Sequence, residues 1–392
     1  MNKKLLAIAV AGALAAPGVA LAEGSSVTIS GFIKQGLEQL SYSGTPADTR
    51  LNTSQMRVVD GASRVVFNST ESLGNGLSGI MQVDLRITGN VNAWVGPGGV
   101  GLDGGNTYVG LKSDSWGELS MGRRDMHYMV ATIPLDNTPS VAGPLQYSPT
   151  SLIDFVGNVG SGVGSQGSAV LYKTPNWNGF SAALGYTANF ADTTGDMNIP
   201  VGGVAAGVAA GTASSRKGDG WNVAPMYVNG PFGIGYSYWS NKYDAPGITT
   251  LDDRSDTLWG YYTFNGFKIG LGWNRIELTD AIAGTKAAER DAWTIPMSYT
   301  SGPHNIAGHY TVAGDIDDAT GSVADSGARM FAIAYSYSFS KRTAVGLSYS
   351  KIDNDSLANY GFFTGHAQGS ATEWPLAGES PRSIQATIVH SF

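Results

Sequence analysis

The order of its long and short connections constrains this chain more than any other feature. Sixteen segments alternate apolar and polar residues with a period of two, the pattern of a strand that is dry on one face and wet on the other. They lie near 26–40, 63–71, 76–88, 105–112, 116–124, 168–175, 179–190, 219–229, 231–242, 256–265, 266–277, 291–301, 303–313, 327–339, 342–352 and 381–392. Seven connections are tight, most with Gly, Asn or Pro where a hairpin needs unusual φ angles, as in "ESLGNG", "PNWNG", "FNGF" and "SGPH". Eight are longer, near 41–62, 89–104, 125–167, 191–218, 243–255, 278–290, 314–326 and 353–380.

Tight and long connections strictly alternate, so all tight turns fall at one end of an up-and-down meander and all long loops at the other. An even strand count returns both termini to the tight-turn end. This is the layout of an outer-membrane β-barrel with short periplasmic turns and long external loops. A soluble sandwich has no reason to sort its loops this way. The last strand, "SIQATIVHSF", must then pair with the one starting near Val27, because an open sheet edge cannot persist in hydrocarbon.

Charge placement follows the same alternation. In "VTISGFIKQGLEQL" the apolar Val27, Ile29, Ile33 and Leu37 are odd while Lys34 and Glu38 are even; in "LSGIMQVDLRIT" Asp84 and Arg86 oppose Met81, Val83 and Leu85. A cation on the lipid face at the bilayer midplane costs about 2–4 kcal/mol, which keeps charges on the other face. Ile29, Met81, Leu271 and Ile388 are therefore expected on an outward belt. Arg123, Arg275, Arg329 and Lys351 break the rule at the long-loop end. Either they snorkel to outer-leaflet lipopolysaccharide phosphates, or their strands have ended or bulged there. Aromatic clusters such as "SYWSNKY", "LWGYY" and Trp273 suit interfacial girdles, and suit ordinary strands equally.

Composition narrows the compartment. Lys3 and Lys4, the apolar "LLAIAVAGALAA" and the small-residue "ALA" at 20–22 read as a secretory signal peptide over residues 1–22, with the barrel over 23–392. Removing its two lysines leaves 24 − 2 = 22 basic residues against 31 acidic ones, a net charge of −9. No basic run suggests nucleic acid. Cysteine is absent, which rules out disulfides and thiolate metal sites. No apolar run beyond the leader is long enough to cross a membrane as a helix.

Several stretches resemble the trimeric general porins of Gram-negative bacteria, of the β-proteobacterial and neisserial type: "SRVVFNSTESLGNGLSGIMQVD", "TYVGLKSDSWGELSMGRRD", "SFSKRTAVGLSYSKIDN" and the closing "HSF". Between about 190 and 325 only the strand pattern is shared. The resemblance implies an all-β, 16-stranded antiparallel transmembrane barrel whose third external loop, 125–167, folds into the lumen. It also implies a homotrimer in the outer membrane and a terminal Phe392 read by the barrel assembly machinery; lipopolysaccharide is a partner through the snorkelling cations alone. Such porins pass ions and small hydrophilic solutes by passive diffusion, without a cofactor. Their constriction sets wall cations against loop carboxylates. The matching motif implies Arg64 for the wall here, and strand parity adds Lys34, Arg86 and Arg124; Asp136 and Asp154 are the loop candidates. Asn68 departs from the family, which more often has a basic residue there, and this weakens the case for strong anion preference.

Other motifs carry little. "SFSK" matches an S-x-x-K pattern but falls at a strand-to-turn junction rather than on a helix. "GDIDDATG" lacks the ligand spacing of a calcium loop. No two of the five histidines have the i, i+4 spacing of a metal pair, and His127 beside Asp125 reads as a loop and rim residue. Competing readings are a substrate-preferring porin for sugars, phosphate or dicarboxylates, an outer-membrane barrel enzyme with Ser, His and acid at the rim, and a soluble secreted β protein.

Overall fold

The computed structural model describes residues 25–44, 54–87, 103–127, 148–153, 155–156, 159–160, 166–187, 217–244, 251–280, 283–362 and 375–392. Sixteen antiparallel strands close into one barrel. They are β1 (Ser26–Ser43), β2 (Ser54–Asp60 continued by Arg64–Gly74), β3 (Leu77–Arg86), β4 (Asp103–Gly104 continued by Thr107–Ser113) and β5 (Gly117–Asp125). Next come β6 (Gln166–Lys173), β7 (Phe180–Thr187), β8 (Lys217–Asn229), β9 (Phe232–Asp244), β10 (Leu251–Phe264) and β11 (Phe267–Asp280). The circuit ends with β12 (Lys286–Ser301), β13 (His304–Ala313), β14 (Ala328–Ser338), β15 (Thr343–Asn354) and β16 (Ser380–Ser391). Closure runs through β1 and β16, from Phe32 opposite Ser391 to Ser43 opposite Ser380. The Phe392 and Gly31 backbones extend it by exchanging N–H···O bonds of 3.0 and 3.3 Å.

Each expected segment is a wall strand, and the tight turns have the expected chemistry. Asn75-Gly76, Asn178-Gly179 and Asn265-Gly266 place both residues at positive φ, as a two-residue hairpin between right-twisted strands requires. Several strands run further at the long-loop end than their apolar alternation reaches. There "LDDRSD", "ELTD" and "KAAERD" belong to β10, β11 and β12, and carry polar side chains on both faces.

The outward belt is as expected: Ile29, Met81, Leu271 and Ile388 are 57, 42, 52 and 53% exposed. Exposed apolar side chains in this number would be untenable in water and are what hydrocarbon accepts. Toward the tight turns the belt becomes aromatic, with Phe264 stacked on Phe267 at 5.5 Å and Phe267 against Tyr299 at 4.3 Å. Two tryptophans differ from the girdle expectation. Trp239 and Trp259 sit on inward positions and are buried, because their outward neighbours Tyr238 and Leu258 already take the lipid face.

The rule-breaking cations lie within strands, not beyond their ends. Three have carboxylate partners: Arg275 binds Asp291 through Nε at 2.8 Å and Nη2 at 2.5 Å, Arg329 binds Asp355 at 3.4 Å, and Lys351 binds Asp353 at 2.5 Å. Pairing reduces the cost of an outward charge. The acidic "GDIDDATG" also has a structural role. Asp318 caps the Thr320 N–H at 2.7 Å in a small external hairpin, and Asp315 accepts the N–H groups of Ser326 and Gly327 at 3.0 Å.

Candidate functional site

Side chains alone cannot fill a barrel of this strand number, so what lines and crosses the interior decides what passes. The inward positions of β1–β5 form a charged arc. Asp84 lies between two guanidinium groups: Arg86 reaches it with Nη2 at 2.9 Å and Nε at 3.0 Å, and Arg64 with Nη1 at 3.3 Å. Arg124 lies flat on Tyr108, 3.6 Å from the ring centroid, and donates to Glu118 at 3.1 Å. Toward the long loops Arg57 binds Glu38 at 2.6 Å, and Glu38 also accepts from Ser383 and Gln385 at 2.6 and 2.8 Å across the barrel seam.

The opposite arc is mostly small and apolar, with Arg290 of β12 buried at its edge, Nη1 3.5 Å from Asn274 Oδ1. Ala292 on β12, Ala313 on β13, Ala328, Met330 and Ala332 on β14, and Ile352 on β15 point inward and form one buried cluster with Trp259, Ala358 and Tyr360. Leu152 and Ile153 complete that cluster and are fully buried. They belong to the connection between β5 and β6, which starts elsewhere on the wall. Their turn is fixed by Ser148, whose hydroxyl accepts from the Thr150 N–H at 3.3 Å at the start of a single 3-10 turn, Pro149–Ser151. The alanines leave the room that two branched side chains occupy, so this part of the third long connection is anchored inside the barrel.

The same connection starts inside as well. Met126 packs with Ala169 and Trp239, and His127 is fully buried with Nδ1 2.7 Å from Ser237 Oγ and Nε2 3.4 Å from Thr257 Oγ1. His127 is therefore an interior residue, not a rim one. Its neighbourhood of hydroxyls includes Asn274, which donates to Ser255 and Thr257 at 3.0 Å.

The expected wall cations Lys34, Arg64, Arg86 and Arg124 come together on one arc. Lys34, Arg86 and Arg124 are only 4, 6 and 4% exposed, so they lie along the wall rather than reaching into the lumen. Asp136 and Asp154 lie outside the described residues. Phe392 ends the seam, its ring over Gly31, where an added Cβ would stand 2.7 Å from Cζ. Asp84, Glu118 and Tyr108 were not singled out in the sequence as site residues. Asp84 and Glu118 had a signal, since each shares strand and parity with its arginine, Arg86 and Arg124; Tyr108, on a neighbouring strand, had none. These four cations and two carboxylates sum to 4 − 2 = +2. Fixed charges in surroundings of low polarisability act on a passing ion through the field they create, without direct contact. Among the described residues no cluster of metal-ligating side chains occurs.

Residues 7–357 match the family described as Gram-negative porin. An outer membrane porin protein of Bordetella pertussis is 30% identical over 295 residues, covering 70% of this chain and 69% of that protein. Outer membrane porin protein 32 of Delftia acidovorans is 27% identical over 413 residues and covers both chains fully. Among solved structures, an anion-selective porin from Comamonas acidovorans superposes with a TM-score of 0.70 at 22% identity, over 94% of this chain and all of that one. OmpT of Vibrio cholerae, in a trimer form, gives 0.65 at 14% identity, over 94% and all of the respective chains. At such identities the structural likeness speaks to the fold.

Proposed function

The chain belongs to the Gram-negative porin family, and from that premise we propose how its interior governs passage. It is an outer-membrane porin, a water-filled channel for passive diffusion of ions and small hydrophilic solutes. The constriction lies between the cationic arc of Lys34, Arg64, Arg86 and Arg124 and the infolded third connection, whose Asp136 and Asp154 supply the opposing charge. The observation that supports this most directly is the burial of Leu152 and Ile153 against the inner alanine wall. A segment anchored there narrows the passage toward the charged arc. Across such a gap, two opposite unit charges about 8 Å apart in water attract by roughly 0.5 kcal/mol, more as the effective dielectric falls. The field orients dipolar solutes and disfavours bulky apolar ones.

The working unit is a homotrimer, a reading supported by the trimer form of the Vibrio cholerae neighbour. Residues 1–22 direct export and are removed. Phe392 is the assembly signal, and the outward cations at the long-loop end meet lipopolysaccharide phosphates. Fold and family are those of a channel rather than an enzyme. The Ser237–His127 pair supports no hydrolase reading, because both residues are buried and a substrate carbonyl has no approach. The test is planar-bilayer conductance of the purified protein in a salt gradient. Discrete large steps in groups of three are expected; a silent bilayer would remove the reading.

A further inference from the structure

We propose that two bulges in the barrel wall, Gly61-Ala62-Ser63 and Gly105-Asn106-Thr107, set the charge that the pore presents to ions, by laying Lys34 over one glycine and the Asp84–Arg86 pair over the other. The inference rests on the wall reading above and extends it to residues that carry no charge themselves.

The two bulges are wired alike. The Gly61 N–H donates to the Lys34 carbonyl at 2.9 Å, and the Lys34 N–H donates to Ser63 Oγ at 2.9 Å. Likewise the Gly105 N–H donates to the Asp84 carbonyl at 2.8 Å, and the Asp84 N–H to Thr107 Oγ1 at 3.4 Å. The pairing register confirms one extra residue each time. On β2, Gln35 faces Asp60 but Phe32 faces Arg64; on β4, Leu85 faces Gly104 but Gln82 faces Tyr108. In both, a glycine and a hydroxyl residue two positions later straddle a charged residue of the neighbouring strand. The hydroxyl takes the ladder bond that the extra residue would otherwise leave open.

Backbone freedom does not explain either glycine. Neither is among the glycines at positive φ; in the first bulge the left-handed position is filled by Ala62, at φ 64°. Space does explain them. A Cβ on Gly61 would overlap Lys34 Cε and stand 2.8 Å from Cδ and Cγ; on Gly105 it would overlap the Asp84 carboxylate and stand 2.6 Å from Arg86 Nε. Ordinary contact is about 3.5–4.0 Å. Glycine in a strand interior often marks such a close approach, and here the approaching groups are the fixed charges of the wall. The second bulge is also tied forward, because Asn106 exchanges two hydrogen bonds with Asp125, next to Arg124.

The bulge glycines are thus positioning residues for selectivity. Gly105→Ala forces Asp84 away from Arg86 and Arg64. Pushed off the wall into the path with its charge intact, the carboxylate should shift the reversal potential in a salt gradient toward cations, opposite in sign to Asp84→Asn. In an Asp84→Ala background the same glycine change should add little or no shift, since the carboxylate is gone and Arg86, which it held beside the glycine, is free to move aside. Should Gly105→Ala fail to assemble, the double variant Gly105→Ala with Asp84→Ala is expected to recover folded barrels. The proposal is overturned by an assembled Gly105→Ala protein with the parent's reversal potential, by an equal shift with and without Asp84, or by a double variant that still fails to assemble. Arg64→Gln with Arg86→Gln is the separate control. No change there sinks the wall reading itself, while the assembly rescue still judges the positioning.

Discussion

Replacing Arg64, Arg86 and Arg124 together by Gln tests the wall most directly. Lys34, Arg64, Arg86 and Arg124 against Asp84 and Glu118 sum to 4 − 2 = +2, and the triple variant leaves 1 − 2 = −1, a change of three charges. At a path about 8 Å away, each unit charge acts on a monovalent ion by roughly 0.5 kcal/mol in water, so three give about 1.5 kcal/mol. At 0.1 M salt the Debye length of about 10 Å reduces this to roughly 0.7 kcal/mol. Anions lose that amount and cations gain it. The permeability ratio therefore moves by about 1.4 kcal/mol, close to tenfold. In a tenfold salt gradient the reversal potential should shift toward cations by on the order of tens of millivolts, inside the ~59 mV limit for a monovalent ion. At 1 M salt, where screening acts within about 3 Å, the shift should fall to roughly a sixth of that. Asp84→Asn changes the sum by one charge in the opposite sense, so its shift should be toward anions and about a third as large at equal salt. A triple variant indistinguishable from the parent at low salt, or a shift that survives high salt undiminished, would refute the assignment.

Ile388→Lys places a cation on the outward belt and should cost about 2–4 kcal/mol, read as a lower urea midpoint for unfolding from liposomes; an unchanged midpoint would contradict the lipid-facing assignment. Leu152→Ala opens a cavity at the anchored segment and should cost about 2–5 kcal/mol of its packing, seen as larger or noisier single-channel conductance; parent-like current would mean that the segment does not limit flow. Deleting Phe392 removes the seam's last backbone pair and its ring over Gly31, so folded protein in the outer membrane should fall sharply, with normal yields counting against an assembly role. Neutralising Arg123, Arg275, Arg329 and Lys351 together should lower stability in lipopolysaccharide-containing membranes more than in phospholipid alone, and equal losses would assign Arg275, Arg329 and Lys351 to their carboxylate partners instead.

The sequence made the wall legible because hydrocarbon outside and water inside impose opposite demands on alternate residues. It failed where that contrast lapses. The upper half of β2, "SQMRVVD", reads as part of a long gap because the bulge at Gly61-Ala62-Ser63 reverses its parity: Met56 and Val58 face out from even positions, and after the bulge the outward positions are odd. The rims of β10–β12 escaped for another reason, since above the membrane both faces are wet. Trp239 and Trp259 were legible in principle, because each alternates with an outward neighbour. That they meet Met126, Leu152 and Ile153 of the third long connection was not, because tertiary packing decides what an inward tryptophan meets. Inward placement of Lys34, Arg86 and Arg124 was legible from parity and that of Arg64 from the family motif, whereas the Asp84–Arg64 contact depends on neighbouring strands and appears only in the fold.

The division of the lumen into two arcs has a physical reason. A long connection folded into water would lose chain entropy without compensation, so it needs an apolar seat, and alanines on β12–β14 supply one by giving up their own volume to Leu152 and Ile153. The seat cannot coincide with the charged arc, because ions buried under an apolar segment would lose hydration without a matching gain. The anchor and the Arg64–Asp84–Arg86 cluster accordingly lie on different strands, and Arg290, buried two residues from Ala292, is the exception. On the charged side glycine performs a task opposite to that of alanine on the other: Gly61 and Gly105 make room in the wall for charged side chains to lie flat, whereas the alanines make room for a segment to dock. The smallest residues of the barrel thus serve both arcs, one by letting charged side chains lie against the wall and the other by seating Leu152 and Ile153.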